Sequence, residues 1–357
     1  MPVLPTGRIK EAPEDFVVEE LPAYEPQGVG EHVYVRFTKR DMTTPDAAAA
    51  LARALSCDVR EAGWAGMKDK RAVATQTVSL HPPHGVRAAD LAERARAVVL
   101  DGITVHAATP HVHKMKPGHL AGNRFTVAVR GLARERIADV TASLERLARE
   151  GVPNAFGEQR FGRFGDNAKR AMAWLGERER APRDPRVRRM HWSAVQSAIF
   201  NAVLSTRVAD GTWNTALEGD VLKLRSSGGL FVCTDVQMDR ERAATGEVSP
   251  TGPIVGCEMR TAGGIPGEME RRIASETLGE GFDLSRTKRL GEGSRRPLRL
   301  WVQDLRWDSP VDEPGHDTAC MRVYFVLPKG SYATTVLAAA VALEPTRRPD
   351  ETPTEES

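Results

Sequence analysis

The chain has 357 residues, 41% of them hydrophobic and 27% charged, with 50 lysines and arginines against 48 acids. That length leaves room for a large core and about two domains, and the composition is that of an ordinary globular protein. No apolar run approaches the roughly 20 residues that span a bilayer, the start MPVLPTGRIKEAPEDF has no signal-peptide core, and a net charge of +2 announces no polyanionic partner, so a cytoplasmic protein is expected.

Phe16–Glu20 reads as a short strand, and His32–Phe37 alternates with Val33, Val35 and Phe37 on one face, as a half-buried strand does. Thr44-Pro45 opens a helix running to Leu55, with the threonine as cap and proline in the first turn. Residues 65–80, AGMKDKRAVATQTVSL, then set one carboxylate, Asp69, among Lys68, Lys70 and Arg71 at the lip of a strand over 75–80. A helix from Asp90 to Leu100, a strand from Ile103 to Ala107 and an alternating strand from Asn123 to Arg130 follow. The helix Arg134 to Glu150 is stopped by Gly151 and Pro153.

Beyond Gly151 the texture changes. GVPNAFGEQRFGRFGDN is dense in glycine, phenylalanine and arginine, the composition of a loop where backbone, rings and guanidinium groups come close. Helices Asn167 to Leu175 and His191 to Arg207 come next, the second with Val195, Ile199 and Val203 at core spacing. Residues 219–300 carry many glycines and prolines and little periodicity. A strand from Met321 to Leu327, a turn at Pro328-Lys329-Gly330 and a small-residue helix from Ala333 to Leu343 close the pattern. The tail, 345–357, is proline-rich and charged and is expected to be disordered. The strand-helix texture of 1–150 resumes after about residue 300, as if the middle were inserted into a single α+β domain.

Cys57, Cys233, Cys257 and Cys320 are scattered, a spacing that supports neither a disulfide framework nor a zinc knuckle. His111 and His113 sit at a metal-like spacing, but no further cluster completes a site, so no metal is expected. The chain has no GxxxxGK[ST] loop, no HExxH and no dinucleotide fingerprint after a strand. Two arginine clusters stand out: RERAPRDPRVRRMHW, with Arg178, Arg180, Arg183, Arg186, Arg188 and Arg189, and SRRPLRLW, with Arg295, Arg296 and Arg299. Such runs are often only solvated faces, yet arginine's planar fork suits phosphate. A solitary carboxylate, aromatics in turns and arginines suit chemistry on a nucleic-acid base, where rings stack and a carboxylate attacks. The KDK segment also fits a plain surface loop with weak pairing.

Eight segments in order decide between these readings: APEDFVVEE, GEHVYVRFTK, AGMKDKRAVATQ, GHLAGNRFTVAVRG, GVPNAFGEQRFG, SAVQSAIFNAVL, GPIVGCEMR and LPKGSYATTVL. With them the chain resembles the TruD family of tRNA pseudouridine synthases over roughly residues 7–342. The resemblance implies an α+β fold: a pseudouridine-synthase catalytic domain with a mixed, largely antiparallel sheet, in parts 1–150 and 301–344, interrupted by an inserted α/β TRUD domain at 151–300. It implies isomerisation of uridine in tRNA, most often uridine 13 of the D-arm, with no cofactor and no metal. Nothing in the chain demands more than a monomer.

Matched residue by residue, the resemblance makes Asp69 the nucleophile, attacking either ribose C1′ or the uracil ring. The carboxylate must be ionised to attack, which nearby cations favour; Lys68, Lys70 and Arg71 are the expected source and possible RNA contacts. Phe16, Asn123, Phe125 and Tyr332 fall at positions the family uses near the substrate base, where an amide pairs with the uracil edge and rings stack on it. Tyr332 departs from the phenylalanine common there, and Ala155 stands where an aromatic is usual. Asn154, Phe156, Gln159, Arg160 and Phe161, near the expected domain junction, are further candidate RNA contacts. The alternative is a non-catalytic RNA-binding or RNA-folding protein on the same scaffold, whose mark would be a lost aspartate; Asp69 is present.

Overall fold

A computed structural model describes residues 3–162 and 164–344; the tail at 345–357 lies outside them. The chain divides into two compact units, one joining the residues up to Ala148 to those from Val302 onward, the other formed by Arg149–Trp301.

The first unit is built on one sheet. Its strands are β1 (Phe16–Pro22), β2 (His32–Arg40), β3 (Val73–Leu80), β4 (Ile103–His111), β5 (Leu120–Ala133), β6 (Gln303–Trp307) and β7 (Thr318–Pro328). Their order across the sheet is β6-β7-β5-β1-β3-β2-β4, with the short strands Gly63–Trp64 and Val311–Asp312 added at β3 and β7. Val17 pairs with Val73 in parallel, whereas the other neighbours run antiparallel, so the sheet is mixed and largely antiparallel. Alternation along the strands does the sorting. Val33, Val35 and Phe37 of β2 and Val78 and Leu80 of β3 face a core shared with helices α1 (Thr44–Ala54) and α2 (Ala88–Arg96). Leu51, Leu91 and Phe37 are wholly enclosed there, and each such side chain contributes about 1.5–3 kcal/mol through burial.

Several ends differ from the sequence reading. The cap of α1 is Thr43, not Thr44: its hydroxyl accepts from the Asp46 amide, 3.2 Å, and Pro45 is the second helical residue. That frees the Thr44 hydroxyl for other work described below. Helix α2 stops at Arg96, because Leu100 bridges back to Ile103 at the start of β4. The expected helix from Ala333 to Leu343 lasts only Ala333–Leu337. Ala342 and Leu343 are drawn instead into a parallel pairing with Thr6 and Gly7.

The second unit has a four-stranded antiparallel sheet in the order Leu230–Val232, Val221–Leu224, Val248–Ile254, Ser294–Pro297. Helix Pro185–Ala209 starts six residues before the expected His191, because Asp184 caps it through the Arg186 amide, 2.7 Å, and proline fits the first turn. Trp192, Val195, Ile199 and Val203 from this helix meet Ala171 and Leu175 of Asn167–Leu175 and Ile273 of Gly264–Leu278 in one core. Arg207 and Asp220 are buried together at 2.8 Å, and Arg295 and Glu270 at 2.7 Å. Such pairs hold their partners in one geometry, although their desolvation offsets much of the attraction.

Candidate active site

The segment Met67–Lys70 leads into β3, and three bonds from separate elements pin it. The Lys68 amide donates to Thr44 Oγ1 at 2.9 Å, Lys39 Nζ donates to the Asp69 carbonyl at 2.6 Å, and Lys68 Nζ meets Glu20 Oε2 at 2.8 Å. Thr44 can reach the Lys68 amide because Thr43 caps the helix, and it donates in turn to Gln76 Oε1 at 3.2 Å. With its backbone held, Asp69 projects its side chain outward, 46% exposed. Lys10 Nζ touches Asp69 Oδ2 at 2.7 Å and lies 4.2 Å from the centre of the Phe16 ring. Lys10 has φ +61°, a left-handed conformation that costs a non-glycine residue about 1–2 kcal/mol.

Register places Phe16, Asn123 and Phe125 on one face of the sheet. Phe16 lies opposite Val127, Val18 opposite Phe125 and Glu20 opposite Asn123. Phe125 faces Phe325 and Asn123 faces Leu327 across β5 and β7. The rings make a chain: Phe16 meets Phe125 edge-on at 5.9 Å, and Phe125 stacks on Phe325 at 5.3 Å. Both Phe16 and Phe125 are buried, so they form the floor beneath Lys10 and Asp69 rather than free stacking platforms. Asn123 Oδ1 is enclosed without a hydrogen-bond partner, a costly state that suits an acceptor awaiting a donor. Asp15, next to Phe16, is buried and held by Arg130 Nε and Nη2 at 3.0 and 2.7 Å and by the Ala12 amide at 2.9 Å; this anchors the strand start that presents Phe16.

Charge is distributed unevenly around Asp69. Lys39 is fully enclosed, and burial brings its pKa down to about 8 despite the attraction of Asp69. Lys68, expected as a cation beside the Asp69 carboxylate and a possible RNA contact, turns inward instead, and its charge is engaged by the buried carboxylate of Glu20. Lys70 is exposed, and Arg71 Nη2 donates to the Glu11 carbonyl at 2.5 Å. Tyr332 begins the short helix after β7 and is 42% exposed. Its side chain makes no hydrogen bond or ring contact with Phe16, Asn123 or Phe125 among the described residues. Sequence reasoning missed Lys10 and Lys39, whose only local signal was membership of the TGRIK and RFTKR segments.

The candidates on the second unit are mostly packing groups. Asn154 is buried, donating to the Pro297 carbonyl at 2.8 Å and accepting from Arg296 Nη2 at 2.6 Å. Phe156 sits under Arg296, 4.1 Å away, and meets Phe200 edge-on; its backbone trades both bonds with Asn201. Asn154 and Phe156 therefore help to lock their own unit, Asn154 buried and Phe156 half-buried. Arg160 is exposed, with Nε 3.3 Å from Ser197 Oγ, and Phe161 is half-buried. The Gln159 side chain lies outside what the structure describes.

A family model described as tRNA pseudouridine synthase D (TruD) matches residues 5–179 and 179–339. A tRNA pseudouridine synthase D of Anaeromyxobacter sp. (strain Fw109-5) is 42% identical over 339 residues, covering 93% of this chain and 91% of that one. One from Geobacter metallireducens is 38% identical over 395 residues, covering 93% and 94%. The fold resembles a crystal structure described as a tRNA pseudouridine synthase D from Methanosarcina mazei, with a TM-score of 0.76, 25% identity, and coverage of 95% and 94%. Sequence, fold and length thus converge, and the chain belongs to the TruD family of tRNA pseudouridine synthases.

Proposed function

We propose that this chain isomerises uridine to pseudouridine at position 13 in the D-arm of tRNA, with Asp69 as the nucleophile. The observation that carries this reading is the environment of Asp69: an exposed carboxylate on a pinned backbone, held at one oxygen by Lys10 above the Phe16 ring. The reaction breaks the bond from uracil N1 to ribose C1′ and joins C5 to the same carbon, releasing the C5 hydrogen as a proton. Asp69 supplies the electron pair that holds one fragment while the base turns, at C1′ or on the ring. Asn123 Oδ1, enclosed and without a donor, is suited to accept from the N3–H of uracil. Phe16 and Phe125 support the floor of the site. A uridine in folded RNA must first leave its stack, at about a few kcal/mol, and the unit Arg149–Trp301, read as the TRUD domain, contributes to gripping the RNA.

The test uses tRNA transcripts tritiated at uridine C5, with and without uridine 13. Release of tritium by the wild type from the first alone, and none by Asp69→Ala although it still binds the RNA, is the expected result. Equal release by both proteins removes Asp69 from the role, and binding without any release favours the non-catalytic reading.

A further inference from the structure

The unit Arg149–Trp301 holds a cleft of about 500 Å³ between helix Asn167–Leu175, the segment 179–182 and the first turns of helix Pro185–Ala209. Asp166, Lys169, Arg170, Trp174, Arg180 and His191 line it, with Glu179 at its side. The two acids do not cancel the three cations. Asp166 is already engaged by Arg170, Oδ2 to Nε at 2.7 Å. Lys169 and Arg180 are exposed and make no ion pair or hydrogen bond among the described residues.

Two ring side chains complete the wall. Trp174 is half-buried with an enclosed Nε1 that has no acceptor. His191 is 6% exposed, and its Nδ1 has no partner. Burial, and then Arg170, lowers its pKa, so the imidazole is a neutral planar surface near pH 7. Arg180 also belongs to the arginine run from Arg178 to Arg189, which concentrates positive potential beside the cleft.

We propose that this cleft receives one nucleotide of the RNA substrate other than the uridine being isomerised, with its phosphate between Lys169 and Arg180 and its base against Trp174. Charge-assisted bonds from two unpaired cations match phosphate oxygens, and an indole face stacks on any base without regard to sequence. An acidic peptide would use the cations but leave the tryptophan wall without a role. The inference rests on the reading of this chain as an enzyme of tRNA, and the experiment separates the two.

Tritium release and direct RNA binding are measured for wild type, Lys169→Gln/Arg180→Gln and Trp174→Leu between about 50 and 200 mM salt. For the double variant, KM and the RNA dissociation constant rise about ten-fold with kcat within two-fold. The slope of log affinity against log salt becomes shallower by about 1, as expected when one phosphate is no longer neutralised. For Trp174→Leu the affinity falls while the salt slope stays that of the wild type. The double variant changes two exposed side chains, and its melting temperature is compared with the wild type, so a folding defect is recognised separately. Unchanged RNA affinity and slope in the double variant overturn the proposal, and so does a loss of kcat with KM unaltered. Wild-type protein that binds RNA without releasing tritium overturns the enzymatic reading instead, and the salt slopes still decide the cleft.

Discussion

Lys10 meets Asp69 at 2.7 Å although 58 residues of chain separate them, and the same ammonium lies 4.2 Å from the Phe16 ring centre. The pair is partly open to solvent, so its contribution to stability is small, in the range of about 0–1 kcal/mol. If Asp69 is the nucleophile, as proposed, its contribution to chemistry is larger, because a positioned cation next to a reacting carboxylate acts at the moment charge moves. Lys10→Met is expected to lower kcat by roughly 10²-fold while shifting the melting temperature little. Lys10→Arg should recover part of the rate. A Lys10→Met protein with wild-type kcat would sink this assignment.

Lys39 carries a pH signature. Burial brings its pKa from 10.5 to about 8, so between those values the unfolded chain holds a proton that the folded chain has released. More protons on the unfolded state means that stability rises with pH across that window. The contribution is fully present above 10.5 and is lost as pH falls through 8. Denaturant midpoints of wild type and Lys39→Met, taken from pH 7 to 10.5, should diverge in the wild type's favour as pH climbs. A constant difference would show that the amine is not perturbed by its burial.

The Lys68–Glu20 pair is enclosed, with side chains 5% and 4% exposed. Removing one partner strands the other charge, so Glu20→Ala is expected to lose about 3–5 kcal/mol of folding stability. Replacing both by apolar groups, Glu20→Leu with Lys68→Met, should recover most of that loss in urea melts. If the double variant is no more stable than the single one, the pair is held by something other than its own charges.

Gly122 precedes Asn123 where β5 passes β7. A Cβ there would stand 2.4 Å from the Leu327 carbonyl oxygen, a backbone atom that cannot swing away. Gly122→Ala should therefore push β5 from β7 and move Asn123, costing about 1–3 kcal/mol and raising KM for RNA by several-fold. Unaltered KM and melting temperature would show that the strands absorb the methyl.

The strands of the site were legible because their faces differ. Val33, Val35 and Phe37 alternate with polar neighbours, and the structure pairs them as that pattern demands. Asp69 stood out because it is the lone acid in a basic loop. Which cations serve it was not legible, because Lys68, Lys70 and Arg71 are neighbours only in sequence. The side-chain partner is Lys10 and the carbonyl's partner is Lys39, both delivered by tertiary packing. Likewise Ala333 to Leu343 has helical composition throughout, but the edge of Thr6–Gly7 claims its last two residues. Local preference yielded to a distant backbone partner.

The stacking of Phe125 on Phe325 has a consequence for how the molecule is made. A ribosome adds about 5–20 residues per second, so strand β5 emerges roughly 10–40 s before β7 exists to cover it. Throughout that interval the apolar residues of β5 present an open edge, the kind of surface that invites mispairing with other nascent chains. The Phe125–Phe325 stack is thus among the last parts to be completed, and a chain cut short before Thr318 would carry Asp69 without the strand that covers β5.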